Sequence, residues 1–364
     1  MKFASLLRVF TVLLVLVPLS ASAHQWHEHP DGDHQQSEPV ERPDSDKTRQ
    51  IFVPIGTKQE ADMKDKLDIA RHFQQFKNVK VRWDANTLFV ETSGLPDHNM
   101  MVGIKAWQQQ VPLPQPYTGG NAWQIPLEPK LADKPVSAKN RLYRGAIALA
   151  VNGVPIFNPL NNRGEDAYLA GELDEWGGHC GRGDDYHYHI APLHLQEIVG
   201  KGNPIAFALD GFPIYGLTEA DGSPVGKLDE FNGQFDEEDR YHYHATKTYP
   251  YINGGMRGVV TIRGDQIEPQ PQDAPLRPAL EPLRGATITD FKSTEGQSAL
   301  TYRLRGQDGT VTYSQVKSDT WKFTYKEPGG KLRTETYQRM PRREDRRGGP
   351  PPPPPPRGER PPRR

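Results

Sequence analysis

The tetrapeptide Tyr-His-Tyr-His occurs twice in this chain, at Tyr186–His189 and at Tyr241–His244. Alternation at period two is strand geometry, so in each copy two imidazoles leave one face and two phenols the other. The surroundings repeat as well. Ile147-Ala148-Leu149-Ala150-Val151-Asn152-Gly153-Val154-Pro155-Ile156-Phe157 aligns with Ile205-Ala206-Phe207-Ala208-Leu209-Asp210-Gly211-Phe212-Pro213-Ile214-Tyr215, an offset of 58 residues (147 to 205). Leu173-Asp174-Glu175-Trp176 aligns with Leu228-Asp229-Glu230-Phe231 at an offset of 55 (173 to 228). An apolar strand, an Asn/Asp-Gly turn, a short strand, an acidic turn and a histidine strand thus recur in order. Such repetition predicts a duplicated β-unit folded about a pseudo-two-fold axis.

Histidine is the commonest metal ligand, in its neutral form. In a His-x-His strand the two Cα atoms lie roughly 7 Å apart, and both rings can reach one ion in front of the sheet. His187, His189, His242 and His244 are therefore the candidate metal ligands. They serve one shared site if the repeats bring the strands together, or two separate sites if they do not. Imidazole suits a transition metal, with Zn or Cu foremost, rather than Ca or Mg. Asp174 and Asp229 stand at equivalent places, as ligands or as acceptors for the second ring N–H of a histidine. His179 aligns with Gln234 and is a candidate extra ligand or acid/base; its plainer role is that of a loop histidine beside an inert Cys180. His98, in a turn before the repeats, is a further candidate, with His194 weaker. The plain alternative for all of them is hydrogen bonding within an ordinary sheet. GxSxG, P-loop, dinucleotide and HExxH patterns are absent from the sequence.

The flanks differ from the middle. Lys2 and Arg8, the apolar run Val9–Leu19 and Ala21-Ser22-Ala23 form a signal-peptide pattern over residues 1–23, so a secreted or periplasmic protein is expected. Cleavage there would expose His24, whose amine and ring can chelate copper; His27, His29 and His34 extend a His-rich disordered segment over residues 24–50. Residues 51–265 are assigned to the duplicated β-domain. It opens with a helix over Asp62–Phe76, apolar at Met63, Leu67, Ala70, Phe73 and Phe76, followed by a hairpin of Val79–Trp83 and Leu88–Thr92. Residues 266–285 have the composition of a linker. Residues 286–340 predict a small antiparallel meander, with turns at Asp308-Gly309 and Pro328-Gly329-Gly330. Residues 341–364 are an Arg/Pro-rich disordered tail that could touch an anionic surface. A single cysteine excludes an intramolecular disulfide, and a net charge of −1 gives no reason to expect nucleic acid as a partner. The fold class expected is mainly β, with one short N-terminal helix.

Several segments together resemble the YHYH-domain family of exported proteins. They are Gly94-Leu95-Pro96-Asp97-His98, Asn152-Gly153-Val154-Pro155-Ile156-Phe157-Asn158-Pro159, Leu209–Gly216, the two Tyr-His-Tyr-His strands and Tyr249-Pro250-Tyr251. The likeness runs over roughly residues 79–264. It implies an extracytoplasmic domain and no particular reaction. Three functions follow in order of preference. The first is an exported transition-metal-binding domain. The second is a metal-dependent extracellular enzyme at the same centre, a hydrolase or a copper-type oxidase. The third is a metal-free adhesion or carbohydrate-binding module using rings such as Trp107, Tyr117, Trp123 and Trp176.

Overall fold

The computed structural model describes residues 58–339. The signal-peptide pattern, the His24–His34 segment and the Arg/Pro tail lie outside them. Helix α1 (Lys58–Gln74) begins and ends earlier than the apolar spacing predicts, and it buries Ala70 and Phe73 while Leu67 is exposed. Strands β1 (Val79–Trp83) and β2 (Thr87–Thr92) form the predicted hairpin, in which the Asp84 carboxylate accepts the N–H groups of Asn86 and Thr87. β3 (Trp123–Pro126) joins this sheet beside β2. β4 (Leu131–Ser137) later pairs with β13.

The repeats build one eight-stranded sheet. The first contributes β5 (Ala146–Ala150), β6 (Pro155–Phe157), β7 (Gly178–Cys180) and β8 (Tyr186–Tyr188). A short helix α2 (Leu195–Val199) leads to the second, which contributes β9 (Ala206–Ala208), β10 (Pro213–Tyr215), β11 (Gly233–Phe235) and β12 (Tyr241–His244). The strand order is β11-β12-β10-β9-β5-β6-β8-β7, so the second half mirrors the first about the β9–β5 junction. At that junction Leu149 pairs with Phe207, its own counterpart in the repeat. The flanking bonds are reciprocal: Val151 N–H to the Ile205 carbonyl and Leu209 N–H to the Ile147 carbonyl, both 3.0 Å. This is the expected pseudo-two-fold, carried by backbone pairing. The central strands are alanine-rich and fully buried, as strands covered on both faces must be. Gly153 and Gly211 occupy equivalent turns at φ of +81° and +96°. A Cβ at Gly153 would strike Thr92, and one at Gly211 the Pro126 carbonyl, so both turns require glycine to sit against the β1–β3 layer.

The histidine strands β8 and β12 are each the third strand out from the dyad, on opposite sides. Five strand spacings separate them, about 24 Å. The four histidines therefore do not converge on one site: the symmetry that doubles the unit also sends its histidine strands to opposite wings of the sheet.

After β12 come β13 (Gly255–Gly258) and the hairpin of β14 (Thr261–Arg263) and β15 (Gln266–Glu268). The stretch expected to be a linker thus starts in a strand, and beyond it is tightly docked. Gln270 bonds the backbone of Ala146, Asp273 accepts the Tyr117 hydroxyl, and Leu283 N–H donates to the Trp107 carbonyl. Its Arg277 is buried against Asp184, donating Nε at 2.8 Å and Nη2 at 2.6 Å, and lies over the Phe323 ring. Strands β16 (Ala286–Thr294), β17 (Gln297–Leu304), β18 (Gln307–Lys317), β19 (Thr320–Lys326) and β20 (Leu332–Gln338) form the predicted antiparallel meander. One turn differs from expectation. Asp308-Gly309 lies within β18, and the chain reverses at Arg305-Gly306, both at positive φ. Gly309 is there because the Tyr302 ring covers its Cα; a Cβ would come within 2.3 Å of that ring.

Arg277 ties the docked segment to both the first repeat and the meander, and removing it leaves Asp184 buried without a cation. Arg277→Ala is expected to lower stability by about 3–5 kcal/mol in denaturant unfolding. Arg303→Ala, which breaks an exposed, solvent-screened pair with Asp308, should leave stability nearly unchanged. Equal losses would show that the buried pair has no special role.

Candidate metal centres

Each Tyr-His-Tyr-His strand is held differently on its two faces. On the phenol face, Tyr186 donates to Asp174 at 2.8 Å and Tyr241 donates to Asp229 at 2.8 Å. The second tyrosine of each motif meets the Asn/Asp-Gly turn: Asn152 donates to the Tyr188 oxygen at 3.0 Å, and Tyr243 donates to Asp210 at 2.6 Å. Asp174 also accepts the N–H groups of Met101, Trp176 and Gly178, while Asp229 accepts those of Phe231 and Gly233. Neither aspartate bonds an imidazole in the structure. Their place on the far side of the strand follows from the same period-two alternation that separates phenol from imidazole. Burial raises the Asp174 carboxyl above its usual range, and it pushes Asp210 up to about 6. His98 is on this face too. Its Nε2 lies 2.6 Å from the Tyr188 hydroxyl and its ring stacks on Trp176, with His194 edge-on, all away from the histidine pairs.

On the imidazole face, four equivalent backbone carbonyls set the rings. Nδ1 of His187 lies 3.0 Å from the Asp185 carbonyl, and Nδ1 of His189 lies 2.5 Å from that of Asn158. In the second repeat, His242 Nδ1 faces the Arg240 carbonyl at 3.4 Å and His244 Nδ1 faces that of Gly216 at 3.1 Å. A carbonyl only accepts, so Nδ1 carries the proton and Nε2 presents its lone pair. That is the tautomer an Nε2 metal ligand needs. In the first half burial holds both rings neutral as well, pulling His187 down to about 4 and His189 to about 3. Burial also lowers His244.

Each pair gains a third donor from its own half. In the first, β7 runs antiparallel to β8 with His179 directly opposite His187, which places all three rings on one face. The donor atoms of His179, His187 and His189 lie within 4.8 Å of one another. Nε2 of His179 is 3.1 Å from Nε2 of His189. Two nitrogens sharing a tetrahedral ion at zinc–nitrogen bond lengths would stand about 3.3 Å apart. Burial, then the neighbouring imidazoles, push His179 well below its ordinary value, although one edge of it reaches the cleft. Phe157 stacks on the His187 ring at 3.9 Å, and the Asp185 carboxylate approaches His187 Nδ1 at 3.2 Å. Asp185 is pushed up to about 7 by burial.

In the second half Gln234 replaces His179 opposite His242, and the third donor is Glu219. Its Oε2 lies 3.4 Å from His244 Nε2 and 3.7 Å from His242 Nε2. The Gln234 amide nitrogen is 3.4 Å from Nε2 of His242 and 3.3 Å from that of His244. Glu219 aligns with Asn161 in the first repeat, at the 58-residue offset (161 to 219). Each half therefore has one ionisable third donor and one amide, in swapped positions: His179 with Asn161, Glu219 with Gln234. The sequence reading missed Glu219. The signal was this exchange across the two aligned positions, which becomes visible only when both are known to face the same pair of rings.

The surroundings also differ. The three-histidine group opens on a cleft of about 200 Å3 whose lining includes Arg163, Arg182 and Glu172. Beside the second group is a groove of about 550 Å3, reached by His242 and lined by Phe212, Tyr215, Phe235 and Tyr241 with Asp236, Asp239 and Arg240. Cys180 is buried, and burial raises its thiol well above the ordinary value, so it is not a thiolate donor at neutral pH. Trp107, Tyr117 and Trp123 are buried in the core and offer no ring platform to a sugar.

With this geometry in hand, comparison with known families adds one match. Residues 122–224 match the family model described as YHYH protein. This stretch supports the likeness to the YHYH family. The match is narrower than the likeness expected over residues 79–264: it spans the first repeat with its Tyr-His-Tyr-His strand and ends in the second repeat before Tyr241. No curated protein and no solved structure matches the chain significantly. Among the described residues, no helix is long and apolar enough to cross a membrane.

The two faces of the YHYH strand should separate experimentally. Tyr186→Phe removes a hydrogen bond to a buried carboxylate and is expected to lower unfolding stability by about 1.5–3 kcal/mol. Metal content, measured by elemental analysis, should be unchanged. Loss of metal in this variant would mean that the phenol and imidazole faces act as one unit.

Proposed function

We propose that this is an exported protein whose YHYH domain binds transition-metal ions at two separate centres, His179/His187/His189 and Glu219/His242/His244. The observation that carries the reading is the pairing of carbonyl-fixed Nδ1 atoms with converging Nε2 lone pairs in both halves. Buried imidazoles left in ordinary sheet hydrogen bonding have no need to point three donors at one another. Three imidazoles, or two with a carboxylate, are ligand sets that hold zinc with a fourth position open. Copper is the alternative ion. Export is supported by the signal-peptide pattern of residues 1–23.

Purified mature protein is expected to carry two metal ions per chain by elemental analysis. His187→Ala with His189→Ala should leave one, as should His242→Ala with His244→Ala, and the four changes together should leave none. Two ions retained in either paired variant, with the fold intact by circular dichroism, would reject the assignment.

A second reading is favoured by the cleft over the three-histidine group: a metal-dependent hydrolase. A metal held there would supply Lewis acidity or an activated water. The chain's part would be to hold the rings neutral and oriented and to line the cleft with Arg163 and Arg182. Under this reading His179→Gln abolishes hydrolysis of a susceptible ester while Glu219→Gln spares it. Equal loss in both variants would count against it.

A further inference from the structure

The two centres are built alike and charged differently. The donors of the first are three neutral imidazoles, so a divalent ion held there keeps its full charge. The charged side chains lining its cleft are Arg163, Arg182 and Glu172, and the Asp185 carboxylate stands 3.2 Å from Nδ1 of His187, on the side of the ring away from the donor nitrogens. Glu172 is already committed: it accepts from Arg163 at 2.5 Å and from Asn161 at 3.2 Å. Arg182 is exposed on the rim and has no carboxylate partner among the described residues. In the second centre the Glu219 carboxylate removes one unit of charge at the metal. The adjoining groove holds Asp236 and Asp239, with Arg240 already paired to Asp236 at 2.8 Å. One centre thus presents a doubly charged coordination position beside an uncommitted guanidinium, since Arg163 is paired with Glu165 and Glu172, and the other a singly charged position beside acidic groups. In a cleft with low-dielectric walls such a difference decides which ligand enters.

We propose that the three-histidine centre takes a tetrahedral oxyanion of the phosphate class, free or as a monoester, as its fourth ligand, with Arg182 as the second contact, and that the Glu219 centre does not. This inference rests on the metal-binding reading above. Guanidinium favours the fork geometry of such oxygens over a simple point charge, so Arg182 contributes orientation as well as attraction. The swapped third donors are then what differentiates the halves: His179 keeps the first centre cationic, and Glu219 makes the second less so.

The test uses the full mature chain loaded with cobalt(II), whose visible absorption reports its coordination. Inorganic phosphate is titrated at constant ionic strength, with phenyl phosphate and acetate in parallel. The titration is run on the unaltered chain, on His242→Ala/His244→Ala, which keeps the first centre, and on His187→Ala/His189→Ala, which keeps the second. A saturable spectral change is expected with phosphate in the first two proteins and not in the third. Arg182→Gln should weaken phosphate binding about tenfold with cobalt content unchanged, the scale of about 1.4 kcal/mol. Response to phenyl phosphate as strong as to phosphate would assign the site to esters; response to phosphate alone would assign it to the free ion. The proposal is overturned if cobalt binds but its spectrum ignores phosphate. It is equally overturned if acetate competes as well as phosphate, if both centres respond alike, or if Arg182→Gln changes nothing. Failure of cobalt to bind at either centre would instead reject the metal reading itself. If either paired variant does not fold, the unaltered chain and Arg182→Gln decide, since half of the bound cobalt should respond in the former.

Discussion

The antiparallel pairing of β5 with β9, about the Leu149–Phe207 partner pair, is the contact on which the rest of the molecule depends. Because residues equivalent under the repeat pair with each other, every later strand of one half must be laid outward in the opposite direction from its counterpart. The order β7-β8-β6-β5 | β9-β10-β12-β11 is then forced, and with it the distance between the histidine strands. Small side chains at Ala146, Ala148, Ala150, Ala206 and Ala208 keep this junction thin enough for layers to cover it on both sides. The dyad thus holds the fold together and keeps the two candidate centres independent.

Within each half, burial makes the polar groups costly unless they are paired. The structure pairs them by face. Carboxylates and amides from the preceding turns take the tyrosine hydroxyls, while backbone carbonyls take the Nδ1 protons. Each strand is locked on both sides before any ligand arrives, and each imidazole turns its Nε2 toward the third donor of its own half. Such pre-orientation is what lets a metal site form without reorganising its surroundings. The two halves have diverged only in how they complete the set. One places a histidine across the strand pair, opposite His187; the other reaches in from the Thr218–Pro224 bridge with Glu219.

Much of this was legible beforehand. The doubled unit, the period-two separation of phenol from imidazole, the β1–β2 hairpin and the C-terminal meander follow from pattern and turn chemistry. Other features were not. Composition makes residues 266–285 look like a connector, yet Asp273, Arg277 and Leu283 find partners far along the chain, and no local signal anticipates partners of that kind. Asp308-Gly309 has the form of a turn, but its glycine answers to the Tyr302 ring. Asp174 and Asp229 were correctly seen as equivalent. Their hydroxyl partners were missed because each acidic turn folds back over the phenol side. His98 likewise joins that side through Tyr188. Trp107, Tyr117 and Trp123 were potential display rings by type alone, and packing made them core.

The sequence by itself determined the unit and its chemistry: two copies of one β-motif, each with an imidazole pair on a single strand face, because alternation and repetition are properties of local order. Tertiary structure alone decided how many candidate centres there are and what completes each one. Register across β5–β9, and the folding of separate loops onto each strand face, are long-range choices that set which half-motifs meet. A period-two pattern contains no information about the strand five places away.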